Sequence, residues 1–131
     1  MAYLRRYVNN KKRGQQFEKQ ALAFLKRKGL KLVRENYNCR MGEIDLIMKE
    51  HDTLVFIEVR YRNTTQFGTP AETVDHRKQH RLTRAAQIFL RSNQEYQEDP
   101  ARFDIIGITD YNGNLEFEWH KNALEVPEAW T

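Results

Sequence analysis

The sequence predicts an α/β fold with a mixed central sheet flanked by helices, and three observations indicate it. Three short predicted strands follow one another within residues 30–61, which favours an antiparallel meander; the first alternates apolar and basic residues, and the third is rich in β-branched and aromatic residues. A long amphipathic segment separates them from two further strands. Because a helical crossover of that length lets the fourth strand lie parallel to the third, the predicted order is α, β, β, β, α, β, β.

Length and composition fit one ordinary globular domain. The chain has 131 residues, of which 40% are hydrophobic and 31% charged. The longest run of branched aliphatic and aromatic residues, residues 54–57, is too short to span a bilayer, and the start of the chain has no stretch of signal-peptide length. A single cysteine, Cys39, excludes an internal disulfide. We therefore expect a cytoplasmic protein.

The first third of the chain is basic. Residues 1–40 hold twelve Lys or Arg against two Glu, whereas residues 91–131 hold three basic and nine acidic groups, and the net charge is +4. We interpret residues 1–13 as a basic N-terminal arm and residues 14–131 as a single domain. Such a surplus suits a polyanionic partner, although a solvated, lysine-rich helix face explains it equally well.

The first predicted helix spans about residues 14–28 and ends at Gly29, a good C-cap. Strands are predicted at residues 30–34, 43–48 and 54–61, with a polar turn at residues 49–53. The apolar face of the helix consists of Phe17, Ala21, Phe24 and Leu25.

The second predicted helix follows a polar loop at residues 63–69, starts at Pro70 and ends near Asn93. Strands at residues 103–109 and 115–119 then form a hairpin, because its turn contains the sequence Asn-Gly. The apolar stripe of the helix consists of Val74, Leu82, Ala85, Ala86, Phe89 and Leu90.

Two neighbouring strands carry acids. Alternation along the second strand puts Glu43 and Asp45 on one face, with Ile44 and Leu46 on the other. In the third strand, Glu58 and Arg60 share a face with Phe56. A hairpin turn centred between residues 51 and 52 sets Asp45 opposite Glu58 and Glu43 opposite Arg60.

Opposed carboxylates with Cβ atoms about 5 Å apart repel one another, and a divalent cation with oxygen ligands offsets that repulsion. Such a cation can activate water and polarise a phosphodiester, while Arg60 stabilises the developing charge. The alternative is that Glu43–Arg60 and Glu58–Arg62 are ordinary surface pairs and that Asp45 is solvated.

The segments GEIDLI (residues 42–47) and VFIEVR (residues 55–60) resemble the core of the PD-(D/E)xK nuclease superfamily. They resemble more closely the YraN-like family of small bacterial proteins, predicted endonucleases akin to archaeal Holliday-junction resolvases. The resemblance covers residues 14–108. Supporting residues are Gly14, Glu18, Ala21, Asn36, Arg40, Phe67, Gly68, Lys78, Gln79, Arg102, Phe103 and Asp104.

The resemblance implies a restriction-endonuclease-like fold in which Asp45 and Glu58 bind Mg²⁺ or Mn²⁺. It also implies that Glu18 in the first helix reaches the site through a water molecule. Position 60 holds lysine in the superfamily pattern, but here it is arginine, which stays protonated and binds phosphate better than it accepts a proton. Lys78 supplies the missing amine if the second helix packs over the site.

The polar face of the second helix is the second expected contact with nucleic acid, although simple solvation of that face is the alternative. His76 and His80 belong to it, because no acid or cysteine falls at a standard zinc spacing from them. Asp104 either orients the end of the sheet near the site, caps the fourth strand or pairs with Arg102. The residues expected to contact nucleic acid are Arg40, Arg62, Arg77, Arg81 and Arg84.

The sequence thus predicts a metal-dependent endonuclease acting on DNA, with branched or repair-related substrates included. The alternatives are a non-catalytic nucleic-acid-binding or scaffold protein that keeps the nuclease fold, and an RNA-processing nuclease. A homodimer is compatible with this prediction, since a four-way junction presents two equivalent cuts.

Overall fold

The computed structural model describes the backbone of residues 2–63 and 74–124 and the side chains of residues 14–62 and 74–124. One five-stranded sheet has the order β1-β2-β3-β4-β5, in which only the β3–β4 pair is parallel. The predicted α/β class, with an antiparallel meander followed by a parallel strand, is confirmed. The elements are α1 (Ala2–Arg27), β1 (Lys31–Cys39), β2 (Gly42–Glu50), β3 (Thr53–Asn63), α2 (His76–Ser92), a 3₁₀ turn (Gln94–Tyr96), β4 (Ala101–Tyr111) and β5 (Asn114–Leu124).

The two helices cover opposite faces of the sheet. Phe56 packs with α2, whereas its neighbour Ile57 packs with α1, as alternation along β3 requires. Leu82 and Phe89 are the buried anchors of α2, and Leu25 is a fully buried anchor of α1. Within the described residues, no helix combines the length and apolar character needed to cross a bilayer.

Both helices begin at other residues than predicted. The first helix starts at Ala2, so residues 2–13, interpreted as an arm, continue α1. These residues include no proline and several good helix formers. The second helix starts at His76, because Asp75 caps it by accepting a hydrogen bond from Lys78 N at 2.8 Å. The predicted start at Pro70 lies outside the described residues, as do Phe67 and Gly68.

The strand registers follow the predicted turns. Glu50 pairs with Thr53 and Leu46 with Ile57, which is the register expected from a turn at residues 51–52. Asn112 and Gly113 both have positive φ values in the β4–β5 turn, as an Asn-Gly hairpin turn requires.

Gly42 allows α2 to approach the start of β2. A Cβ atom at this position would lie 3.3 Å from Arg81 Cβ and 3.5 Å from Arg81 O. The first of these distances is shorter than an ordinary van der Waals contact. The N-terminal half of α2 is therefore held close to the strand that carries Glu43 and Asp45.

Candidate metal centre

The acidic site lies where β2 separates from β3. Their pairing ends at Leu46 and Ile57, and Asp45 is not paired with Glu58 in the ladder. Instead, Asp45 Oδ2 accepts a hydrogen bond of 2.8 Å from the backbone N–H of Val59. This side-chain contact takes the place of main-chain pairing at that point, and it holds the Asp45 carboxylate against β3.

Two predictions from regular pairing are therefore wrong in detail. Glu43 does not pair with Arg60 in the ladder, because β2 has already left β3. Ile44 and Leu46 do not share a face: Ile44 packs in the cluster beside α2, whereas Leu46 packs in the cluster beside α1. On the N-terminal side of Leu46, β2 remains paired with β1 along one edge. Its other edge is no longer paired with β3, and the acids lie in the opening between the two strands.

Four carboxylates from three elements converge at this opening. Oxygen atoms of Glu18, Glu43 and Asp45 lie within 4.8 Å of one another. Asp45 is also within hydrogen-bonding reach of both Glu18 and Glu58. Glu18, which was expected to act through a water molecule, thus stands directly beside the other acids. In the described side chains, this three-residue cluster of candidate metal ligands consists of acids alone.

Glu58 is the most buried of these acids, with 5% of its surface exposed. Its Oε1 atom lies 3.3 Å from Lys78 Nζ and 3.6 Å from Arg60 Nε. Its Oε2 atom is buried and has no hydrogen-bond donor among the described residues. Lys78 therefore reaches the site from α2, as the hypothesis about the second helix required.

The crowding of acids changes their protonation. Burial, followed by the negative charge of Asp45, raises the pKa of Glu58 to about 8. The same two causes raise the pKa of Glu18 to about 7. The site therefore holds protons near neutral pH that a divalent cation would displace. An all-carboxylate donor set with one buried, donor-free oxygen suits a hard cation such as Mg²⁺ or Mn²⁺.

Asn36 belongs to the site, although the sequence indicated it only as part of a family motif. With its amide nitrogen turned toward the acids, Asn36 Nδ2 donates to Glu18 Oε2 at 2.6 Å and to Glu43 Oε1 at 3.3 Å. Its φ of 49° lies in the left-handed region, which asparagine tolerates better than most residues. That property of an asparagine beside the acidic strand is the signal that could have pointed to it.

The predicted nucleic-acid contacts are dispersed around the site. Arg77, Arg81 and Arg84 are exposed on α2, and Arg40 is exposed in the β1–β2 turn. Arg62 is less available, because its guanidinium group contacts Thr109 Oγ1 at 3.3 Å and Glu118 Oε1 at 3.4 Å. These contacts bind it to β4 and β5.

Asp104 is a structural acid away from the cluster. It is 1% exposed and accepts hydrogen bonds from the Arg102 guanidinium, from Trp119 Nε1 at 2.9 Å and from Asn122 N at 2.9 Å. Of the interpretations that the sequence left open, the structure shows the pairing of Asp104 with Arg102.

Comparison with known proteins identifies the family. Residues 17–108 match the model of the uncharacterised protein family UPF0102. The chain is 43% identical over 119 residues to a UPF0102 protein of Nitrosococcus oceani, covering 91% of this chain and 96% of that protein. It is 44% identical over 112 residues to a UPF0102 protein of Stutzerimonas stutzeri, covering 86% and 93%. A UPF0102 protein of Vibrio cholerae is 44% identical over 119 residues, covering 90% and 96%.

The matched residues include all four acids of the cluster, together with Asn36, Arg60 and Lys78. With more than two thirds of each chain covered at over 40% identity, the protein belongs to the uncharacterised protein family UPF0102, the YraN-like family to which its sequence motifs pointed.

Proposed function

We propose that this protein is a metal-dependent endonuclease that cleaves phosphodiester bonds in DNA, branched or repair-related DNA included. The observation that carries the proposal is the convergence of four carboxylates with Lys78 and Arg60 at one opening of the sheet. A group of acids alone would hold a cation, but the two adjacent positive charges also provide for a phosphate.

In the proposed mechanism, the acids of the site bind the cation, and the two basic side chains bind the phosphate. Asp45 and Glu58 hold the cation together with Glu18 and Glu43, and the Val59 N–H keeps Asp45 in place. When bound, Mg²⁺ or Mn²⁺ supplies Lewis-acid polarisation of the phosphodiester and acidifies a nearby water molecule. The chain itself contributes a partly buried set of charged groups around the buried Glu58, and this set requires little rearrangement when the substrate arrives.

Lys78 and Arg60 act on the phosphate. The planar guanidinium of Arg60 binds non-bridging oxygens, and the Lys78 ammonium stabilises charge that develops on the leaving oxygen. Lys78 Nζ lies 3.3 Å from Glu58 Oε1, so an amine is present even though position 60 is arginine. This arrangement favours an enzyme over a non-catalytic scaffold.

The proposal includes a cytoplasmic location, where DNA and Mg²⁺ are both present, and a homodimer on four-way junctions, whose two-fold symmetry presents two equivalent cuts. It includes no base-specific contact, because the groups at the site recognise phosphate rather than base edges.

The test uses purified protein with labelled single-stranded, duplex and branched DNA and with RNA, in Mg²⁺, in Mn²⁺ or in EDTA. Asp45→Ala should lower cleavage at least about 100-fold, because even the partners that orient a metal ligand typically contribute 10–100-fold. Asp52→Ala, which removes an exposed acid of the β2–β3 turn, is the matched control and should cleave normally.

Each outcome has one interpretation. Cleavage that persists in Asp45→Ala refutes the assignment and indicates a contaminating nuclease. Binding without cleavage under every condition identifies a scaffold, and cleavage restricted to RNA identifies an RNA-processing enzyme. Calorimetric titration with Mn²⁺ provides an independent check, since Glu58→Ala should abolish Mn²⁺ binding.

A further inference from the structure

A second cationic feature lies along α2 beyond the metal centre. Three arginines surround a solvent-open cavity of about 150 Å³, here called the arginine pocket. Arg40 comes from the β1–β2 turn, whereas Arg84 and Arg91 come from α2. The pocket is lined by Arg40, Met41, Arg84, Gln87, Ile88 and Arg91.

The charges of the arginine pocket lack acidic partners. Arg40, Arg84 and Arg91 are all exposed, and the described residues place no Asp or Glu within ion-pair distance of any of them. The sequence of α2 contains no acidic residue at all. Because like charges around one cavity repel, an anion bound between them would stabilise the arrangement.

The chemistry of the lining favours a phosphodiester over a compact inorganic anion. Guanidinium groups bind phosphate oxygens through two parallel hydrogen bonds, and the Gln87 amide adds a further donor. Met41 and Ile88 are partly buried and give the cavity an apolar side that a sugar can cover.

The position of the pocket connects it to the metal centre. Spacings of four, three and seven residues place a row of arginines along one side of α2, namely Arg77, Arg81, Arg84 and Arg91. The middle of the α2 lining, Gln87 and Ile88, is nine to ten residues from Lys78 at the metal centre, which corresponds to about 14 Å along the helix axis. At about 3.4 Å per base pair, that length spans about four pairs of a duplex that runs along the helix.

We propose that the arginine pocket anchors a backbone phosphate of duplex DNA about four base pairs from the bond at the metal centre. The anchor is a binding site in its own right, and only the distance to the cut rests on the proposed nuclease function. The anchor favours substrates whose duplex arm on one side of the metal centre is long enough to reach the arginine pocket.

Binding is tested without catalysis, by fluorescence anisotropy of a labelled duplex in EDTA. The double variant Arg84→Gln/Arg91→Gln should weaken binding about 10- to 100-fold and reduce the slope of log K against log salt by about 1 for each phosphate that it no longer neutralises. The control Lys26→Gln/Arg27→Gln removes the same charge from the exposed end of α1, on the other face of the sheet, and should change the affinity little. Arg40→Gln tests the pocket independently from the β1–β2 turn.

Equal affinity and equal salt slope in the double variant and its control would overturn the anchor. Competition by poly-glutamate as strong as competition by unlabelled duplex would also overturn it, since the pocket would then be a general anion patch. Thermal unfolding of each variant verifies that the fold is kept, and all three arginine side chains are exposed.

Cleavage kinetics test the distance. On duplexes with a long arm, the double variant should raise KM with little change in kcat, and on arms shorter than about four pairs it should match the wild type. An equal KM increase on both lengths contradicts the spacing. A protein that binds DNA through the pocket in EDTA but cleaves nothing would refute the proposed nuclease function and leave the anchor intact.

Discussion

Glu58→Gln replaces a buried carboxyl by a neutral side chain of the same shape and should remove much of the pH dependence of folding in the metal-free protein. Burial, reinforced by the charge of Asp45, raises the pKa of Glu58 to about 8, against an ordinary value of 4.5. A carboxyl whose pKa is raised on folding binds more protons in the folded state. Its contribution to stability is therefore complete below pH 4.5 and is lost as the pH rises through about 8.

The size of the effect follows from the same values. Where the group is ionised in the unfolded chain and protonated in the folded chain, the free energy of unfolding falls by about 1.4 kcal/mol per pH unit. Between pH 6 and pH 8 the loss is about 2 kcal/mol. That is a large fraction of the roughly 5–15 kcal/mol by which a typical domain is stable.

Urea denaturation in EDTA at pH 6, 7 and 8 measures this loss. Wild-type protein and the control Glu116→Gln, an exposed acid of β5, should lose stability together over this range, while Glu58→Gln should lose much less. Saturating Mn²⁺ should restore the wild type most strongly at pH 8, because protons no longer compete there. If the wild type and Glu58→Gln show the same pH dependence, the buried acid is not responsible and the reasoning fails.

Three further changes test other parts of the structure. Lys78→Met should lower cleavage about 100-fold while Mn²⁺ affinity in calorimetry is kept, and a wild-type rate would remove Lys78 from the mechanism. Gly42→Ala should cost about 1–3 kcal/mol in urea denaturation, because its Cβ would press on Arg81; unchanged stability would mean that α2 can shift. Asp104→Asn should cost about 3 kcal/mol, since it removes the buried charge that faces Arg102 and leaves it only the more exposed partner Glu50, and a loss under about 1 kcal/mol would contradict that role.

Local patterns in the sequence were sufficient to predict the sheet. The polar turn at residues 51–52 fixes the register from Glu50–Thr53 to Leu46–Ile57, and the Asn-Gly turn fixes the β4–β5 hairpin. A crossover helix between β3 and β4 makes that pair parallel. These features depend on residues close in the chain, which is why they could be predicted.

The site itself required tertiary information. The regular hairpin register predicts Asp45 opposite Glu58 only while the two strands stay paired. No sequence pattern near Leu46 indicates that β2 separates from β3 there. The direct approach of Glu18 depends on how α1 docks on the sheet. The hydrogen bonds of Asn36 depend on a single left-handed backbone angle in β1. Glu18, Asp45 and Glu58 were predicted as site residues, but Glu43 was not, and the arrangement of the cluster could not be predicted.

The acids beside the β2–β3 opening come from a strand pair and from a helix on one side of the sheet, while Lys78 comes from the helix on the other side. No contiguous fragment shorter than about half of the chain contains all of these side chains. During synthesis, the four acids and Lys78 can come together only after the second helix has left the ribosome. An incomplete chain therefore lacks the complete site on which the proposed activity depends.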